Sequence, residues 1–208
     1  FIDPGNFAVD DHGDLRIIGN QSPRYRYGVN LSARWNGIGL SVFLQGVGAR
    51  DWYPGSDAGM FWGKYGRPFF ALIPSIHNYT DDMYSAERNN WDTAYWPRMT
   101  TYQSNGTKNW TRLLEIPNTR YIQSAAYLRV KNIQLDYSFP KHICSAIRLQ
   151  GLKIYVNAEN LFTFTPLHKY APNFDPEGLS YDSDFASAAD GYTYPILKSV
   201  TVGVNITF

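Results

Sequence analysis

Cysteine is nearly missing from this chain of 208 residues: the single thiol, Cys144, can form no internal disulfide, so neither a disulfide framework nor a cysteine-pair metal site organises the fold. Charge imbalance is missing too. Nineteen Lys and Arg against eighteen Asp and Glu leave +1, which offers no basic field for nucleic acid and no acidic field for cationic substrates. No apolar run approaches the ~18 residues of a membrane helix, and mean hydropathy is −0.36. Histidine is sparse: His12, His77, His142 and His168 are scattered, with no His-Glu-x-x-His pair and no Gly-x-Ser-x-Gly elbow. The acidic pairs Asp81-Asp82 and Asp182/Asp184 read as solvated loop charges, not as a glycosidase dyad. Asp10-Asp11-His12-Gly13-Asp14 lacks the regularly spaced oxygens of an EF-hand loop and reads as a solvated turn. No catalytic residue, metal or cofactor is therefore expected, and Cys144 reads as filler in a short turn.

What the chain does have is two-residue alternation and aromatic rings. From Val200 to Phe208 the even positions are apolar and the odd ones small or polar. Strand side chains alternate between faces, so such a stretch offers one face to hydrocarbon and the other to water. Between Arg24 and Trp35 the odd face carries Tyr25, Tyr27, Val29, Leu31, Ala33 and Trp35, and the even face carries Arg24, Arg26 and Arg34 among small polar residues. Three arginines would be hard to bury unpaired in a sandwich core, whereas a wet lumen accommodates them. Tyr25 and Trp35 are ten steps apart, which at roughly 3.4 Å per residue and a tilt of about 45° spans about 24 Å, close to the ~25 Å apolar band between aromatic girdles. Asn36-Gly37 then signals a type I′ hairpin.

Three further strands read in the same way. Ile38, Leu40, Val42 and Leu44 alternate with Gly39, Ser41, Phe43 and Gln45; a third strand covers 128–139 and a fourth 152–164. In the third the apolar phase slips by one near Lys131-Asn132, which a bulge would restore. In the fourth Asn160 falls on the apolar face, so the strand either bulges again or has reached the interface. The connections alternate in length: a tight turn, a loop over 51–126, a short turn over 140–150, and a loop over 165–195. Bacterial membrane barrels alternate short periplasmic turns with long extracellular loops in this way, and a long structureless loop would be unusual in a soluble domain. The expected fold is thus an all-β, transmembrane antiparallel barrel. Residues 1–22 are expected to end one extracellular loop, and 23–208 to form a C-terminal part of the barrel, with 51–126 and 165–195 outside. Bacterial barrels have even strand numbers, so five strands without a leader are expected to be a C-terminal piece of something larger.

The residues also resemble a family. Tyr127-Leu128-Arg129-Val130-Lys131-Asn132-Ile133-Gln134-Leu135-Asp136-Tyr137-Ser138-Phe139-Pro140, the run from Leu152 to Thr165, and Tyr194-Pro195 leading into the last strand look like the end of SusC/RagA-type TonB-linked outer-membrane transporters. Ile18-Gly19, Pro23-Arg24-Tyr25 and the stretch from Tyr27-Gly28-Val29-Asn30 to Phe43-Leu44-Gln45-Gly46-Val47-Gly48 match as well. The resemblance implies a 22-strand barrel of which this is the last five or so strands, a location in the Gram-negative outer membrane, a plug, TonB coupling through parts absent from this chain, and a SusD-like lipoprotein lid. It implies import of oligosaccharides, with peptides as the alternative cargo, and no enzyme activity. A barrel hydrolase and a soluble lectin-like sandwich are the rivals from other classes.

Candidate functional residues follow from both readings. Five of the six tryptophans, Trp52, Trp62, Trp91, Trp96 and Trp110, fall in the 51–126 loop. They can pack the loop against itself, dock the lid, or stack on a ligand. Arg24, Arg26 and Arg34 face the lumen, with carboxylates of the barrel or plug as expected partners. Phe208 is the expected assembly signal.

Overall fold

The computed structural model describes residues 13, 16–53, 84, 86–96, 118–172, 174–179 and 196–208. Five long strands form one antiparallel sheet: β1 (Arg24–Trp35), β2 (Ile38–Ala49), β5 (Tyr127–Ser138), β6 (Gly151–Phe164) and β7 (Ser199–Thr207), in the order β1-β2-β5-β6-β7. Two short strands, β3 (Asp51–Trp52) and β4 (Gln123–Ser124), pair beyond the end of β2. The sheet is open. Among the described residues its outer strands β1 and β7 pair on one side only, and the five strands do not close on themselves.

Local chemistry explains the strand limits. β1 turns into β2 through Asn36 and Gly37 at φ 45° and 86°, the two positive values a type I′ turn requires. The register then runs Trp35 opposite Ile38, Ala33 opposite Leu40, Leu31 opposite Val42 and Val29 opposite Leu44. Residues directly opposite share a face, so one face of this hairpin is apolar throughout. β5 joins the same face because its phase slip is a bulge: Asn132 lies opposite Phe43 and Val130 opposite Leu44, leaving Lys131 as the extra residue. β6 answers with its own irregularity at Asn160, which takes φ 53° and donates from Nδ2 to the Leu197 carbonyl at 3.2 Å. Of the two explanations offered for Asn160 by the sequence, the bulge is the one observed. Phe162 therefore still pairs with Val130, and Ala158 with Ile133.

The apolar face is the exposed one. Leu31, Trp35, Leu40, Leu135, Ile154, Val156, Phe162, Val202 and Val204 all present large exposed surfaces there. A contiguous apolar sheet face of that size is a contact surface. The opposite face carries Arg34, Ser41, Asn132, Gln134, Asp136, Asn157 and Thr201 in register.

The two ends of the sheet differ. One end holds the Asn36-Gly37 turn and the connection between β5 and β6, where sequence reading expected only a turn. That connection contains a short helix, α1 (Lys141–Ala146), whose Cys144 is buried. The other end holds everything described of the two long connections, and these build the main buried core: Trp52, Tyr53, Trp96, Tyr121, Ala125, Leu167, Ala171, Phe174 and Leu179.

Candidate functional site

Three side-chain constellations can carry function, and each grows from a strand end or a strand face. The first is the aromatic core at the loop end. β6 stops at Phe164, Thr165 caps a 3-10 turn (Pro166–Lys169) by accepting from the Leu167 N–H at 3.2 Å, and Leu167 is driven into the core. Around it the rings of Tyr95 and Tyr170 stack at 3.7 Å, Trp96 and Tyr121 at 5.5 Å, and Trp52 meets Phe174 at 5.2 Å. The Trp96 indole N–H donates to the Tyr170 carbonyl at 3.3 Å. Burial pushes the Tyr53 and Tyr95 phenols up, so both stay neutral: Asn118 Nδ2 donates to the Tyr53 hydroxyl at 3.1 Å, and the Tyr95 hydroxyl donates to the Arg120 carbonyl at 2.6 Å. Burial lowers the pKa of His168, whose Nε2 lies 3.3 Å from the Phe174 carbonyl.

Two of the five candidate tryptophans, Trp52 and Trp96, are thus packing residues, 2% and 1% exposed. Trp91 is 73% exposed beside a turn in which Asn89 takes φ 48°. Trp62 and Trp110 lie outside the described residues, as do the Asp81-Asp82 and Asp182/Asp184 pairs, His12, His77 and all of 10–14 except Gly13.

The second constellation clamps segment 174–179 onto the polar face. Arg129 on β5, buried to 3%, donates to Asp175 Oδ1 at 2.5 Å, to Glu177 Oε2 at 2.6 Å and to Thr163 Oγ1 at 2.9 Å. Lys131, the bulge residue, reaches the same Glu177 at 2.8 Å. Arg50, at the end of β2, donates to the carbonyls of Pro176 at 2.9 Å and Leu179 at 2.6 Å. Beside this clamp opens a cleft of about 550 Å³, lined by Arg26, Phe43, Gln45, Tyr127 and Glu177. Sequence reading missed the clamp entirely. Its only trace in the sequence is the like-charged Arg129 and Lys131 on one strand, which demand compensation from elsewhere.

The third lies at the short-turn end of the polar face. Arg34 on β1 and Asp136 on β5 both pair in register with Gly39 on the strand between them. A Cβ on Gly39 would sit 2.6 Å from the Asp136 carboxylate, so glycine is what lets the two side chains meet across β2, at 3.1 Å. Lys153 on β6 adds a second cation 3.3 Å from the same oxygen. Arg34 thereby has a carboxylate partner on the sheet itself. Arg24 and Arg26 have no carboxylate partner among the described residues, and Arg26 lines the cleft.

Among the described residues no three metal-ligating side chains come together. The sheet has an exposed apolar face and an ion-paired polar face, the two-faced pattern of membrane-barrel strands, and the described loop residues gather at one of its ends. The comparisons with known proteins then name the kind. The chain is 26% identical over 220 residues to the TonB-dependent receptor P3 of Formosa agariphila, covering 99% of this chain and 19% of that protein. It is 24% identical to the TonB-dependent receptor P39 of the same organism, covering 98% of this chain and 18% of the relative. No family model matches. Among solved structures it is similar to the RagAB peptide importer in the open-open state, with TM-score 0.56 and 18% identity over 98% of this chain and 19% of the other, and in the closed-closed state, with TM-score 0.57 and 18% identity over 100% and 21%. The chain thus spans about a fifth of the length of the relatives it matches. The resemblance to TonB-dependent receptors of the SusC/RagA kind is borne out. Such receptors are outer-membrane β-barrel proteins and are transporters, not enzymes.

Proposed function

We propose that these residues form the C-terminal five strands of a TonB-dependent importer, with β1 and β7 pairing to strands beyond this chain to close a barrel of 22. In this reading the apolar face meets lipid, the short turns lie in the periplasm, and residues 51–126 and 165–195 are extracellular. Energised uptake through the barrel, beneath a SusD-like lipoprotein lid, is the function. The observation that carries it is the segregation of the sheet: one face exposes Leu31, Leu40, Leu135, Val156, Phe162 and Val202, while the other carries the ion pairs of Arg34 and Arg129.

The cargo we propose is an oligosaccharide, recognised through ring stacking on loop aromatics. Burial of Trp52 and Trp96 narrows the surface role to Trp91 among the described tryptophans of the 51–126 loop, with Trp62 and Trp110 as further candidates. A peptide cargo is the second reading, favoured by the mixed charge of the cleft beside Arg26 and Glu177. Arg24 and Arg26 are proposed to face the lumen together with Arg34, and Phe208 to act as the assembly signal. The test uses the full-length transporter in its own membrane, with uptake of labelled oligosaccharide and labelled peptide measured with and without TonB. Trp91→Ala is expected to weaken lid capture or uptake several-fold, and Trp96→Ala to lower the folded fraction instead. Uptake of neither cargo, or uptake indifferent to TonB, overturns the reading.

A further inference from the structure

The connection between β5 and β6 carries a surface that the transport reading does not use. Tyr137 and Phe139 are the last aromatics of the β5 apolar face, their rings 5.0 Å apart, and only Pro140 separates Phe139 from the first residue of α1. Two strand residues advance about 5 Å along the membrane normal at the usual tilt, so α1 begins just outside the aromatic rim. Ile143 and Ile147, one helical turn apart, are 39% and 52% exposed although Cys144 between them is buried. Lys141, His142 and Arg148 are also exposed, and residues 139–150 contain no acidic side chain. Lys141 and Arg148 have no carboxylate partner among the described residues.

The backbone around Arg148 points the same way. The helix ends in a Schellman motif: the Arg148 N–H bonds to the Ser145 carbonyl at 3.1 Å and the Leu149 N–H to the Cys144 carbonyl at 2.9 Å. Arg148 occupies the left-handed position of that motif at φ 58°, where glycine is the usual residue because it alone carries no Cβ penalty. An arginine there is conformationally costly and presents its cation at the surface. The other cations at this end, Arg34 and Lys153, share the single carboxylate of Asp136. Positive charge beside exposed aliphatic residues at a membrane rim matches the chemistry of phospholipid headgroups and the acyl chains just below them.

We propose that α1 is an interfacial anchor on the periplasmic leaflet: Ile143 and Ile147 enter the acyl boundary, and Lys141 and Arg148 bind the phosphates of anionic phospholipid. The proposal rests on the membrane reading of the sheet, and its test separates the two. The full-length transporter carrying Cys144→Ser is spin-labelled through Ile147→Cys, and separately through Val202→Cys as a reference on the apolar face. Both are placed in nanodiscs of phosphatidylcholine with or without phosphatidylglycerol. The expected result is oxygen accessibility exceeding that of a water-soluble nickel chelate at both positions. The immobilisation at 147 should increase with phosphatidylglycerol, and Lys141→Ala with Arg148→Gly should abolish that lipid dependence. A lipid signal at 202 with an aqueous signal at 147 overturns the anchor alone, as does indifference of 147 to phosphatidylglycerol. An aqueous signal at both positions overturns the membrane reading itself. If 147 is shielded from both collision reagents, a protein covers α1, and the lipid proposal again fails.

Discussion

Placing an arginine at Val202 and at Thr201 tests the facing of the sheet on two adjacent residues of one strand. Val202 lies opposite Val156 on the apolar face and is 72% exposed; Thr201 lies opposite Asn157 on the polar face. Val202 is five residues from Thr207, the end of β7, which is about 12 Å along the membrane normal, or half of the ~25 Å apolar band. No protein layer covers either position, so neither substitution creates a cavity or a steric clash within the described residues. The cost is therefore set by the medium. Near the midplane of a bilayer an arginine costs about 2–4 kcal/mol, roughly 30- to 700-fold in the folding equilibrium. On a water-exposed strand the same change stays within about 0.5 kcal/mol. A folding titration of the full-length transporter in lipid bilayers is expected to show the larger cost for Val202→Arg and a small one for Thr201→Arg, whose side chain lies on the polar face. Equal costs, or the reverse order, would refute the assignment of the faces, and small costs at both would refute the bilayer.

Two further outcomes follow from the loop end. Arg129→Met leaves Glu177 with Lys131 and Asp175 with the Glu177 backbone N–H but no cation; breaking a buried pair costs about 3–5 kcal/mol, and the low end applies because both carboxylates are 26% exposed. Hydrogen exchange should report the loss as faster exchange within 174–179 while the β5 and β6 ladder keeps its protection; unchanged exchange in 174–179 would dismiss the clamp. His168 supplies the pH dependence: its folded pKa is lowered by burial, so above the unfolded value of about 6.5 both states are neutral and the loop core is intact. As pH falls through that value the unfolded segment takes up a proton first and the core loses stability until the folded pKa is passed. Tryptophan fluorescence from the loop core should shift between pH 7 and 5, and His168→Gln should remove the shift; a loop core that tightens on acidification would contradict the sign.

The strands were legible in the sequence because both determinants act locally. Alternation with period two is written in neighbouring residues, and the Asn36-Gly37 turn needs nothing beyond its own two positive φ values. The slip at Lys131 was legible for the same reason, since a bulge is a local change of phase. Chain closure was not visible in either: an open five-stranded sheet and a piece of a barrel wall share the same alternation. Helix α1 was missed because it has six residues and no period of its own; its buried Cys144 donates from Sγ to the Phe139 carbonyl just after β5. The tryptophans were divided between packing and surface only by the structure. Trp96 and Trp91 are both loop tryptophans in the sequence, and what separates them is Tyr170, which comes from the other long connection.

The same distinction governs charge. Arg34, Arg129 and Lys131 are partnered by residues 102, 46 and 46 positions away, so no window of sequence contains both members of a pair. What sequence does contain is the permission for one of these pairings, in the form of a glycine. At Gly39 the missing side chain lets Arg34 and Asp136 join over the intervening strand, and the pair lies along the sheet with Lys153 continuing it onto β6. These ion pairs lie along the sheet and link side chains of β1, β5 and β6 over the glycine of β2. At the loop end the opposite arrangement holds, because Arg129 and Lys131 are satisfied by carboxylates that arrive on a covering segment. Removing a cation there frees the segment, whereas removing Arg34 disturbs the wall. One sheet face therefore carries an ion chain along its strands at its short-turn end and, at its loop end, a clamp whose carboxylates come from a covering segment.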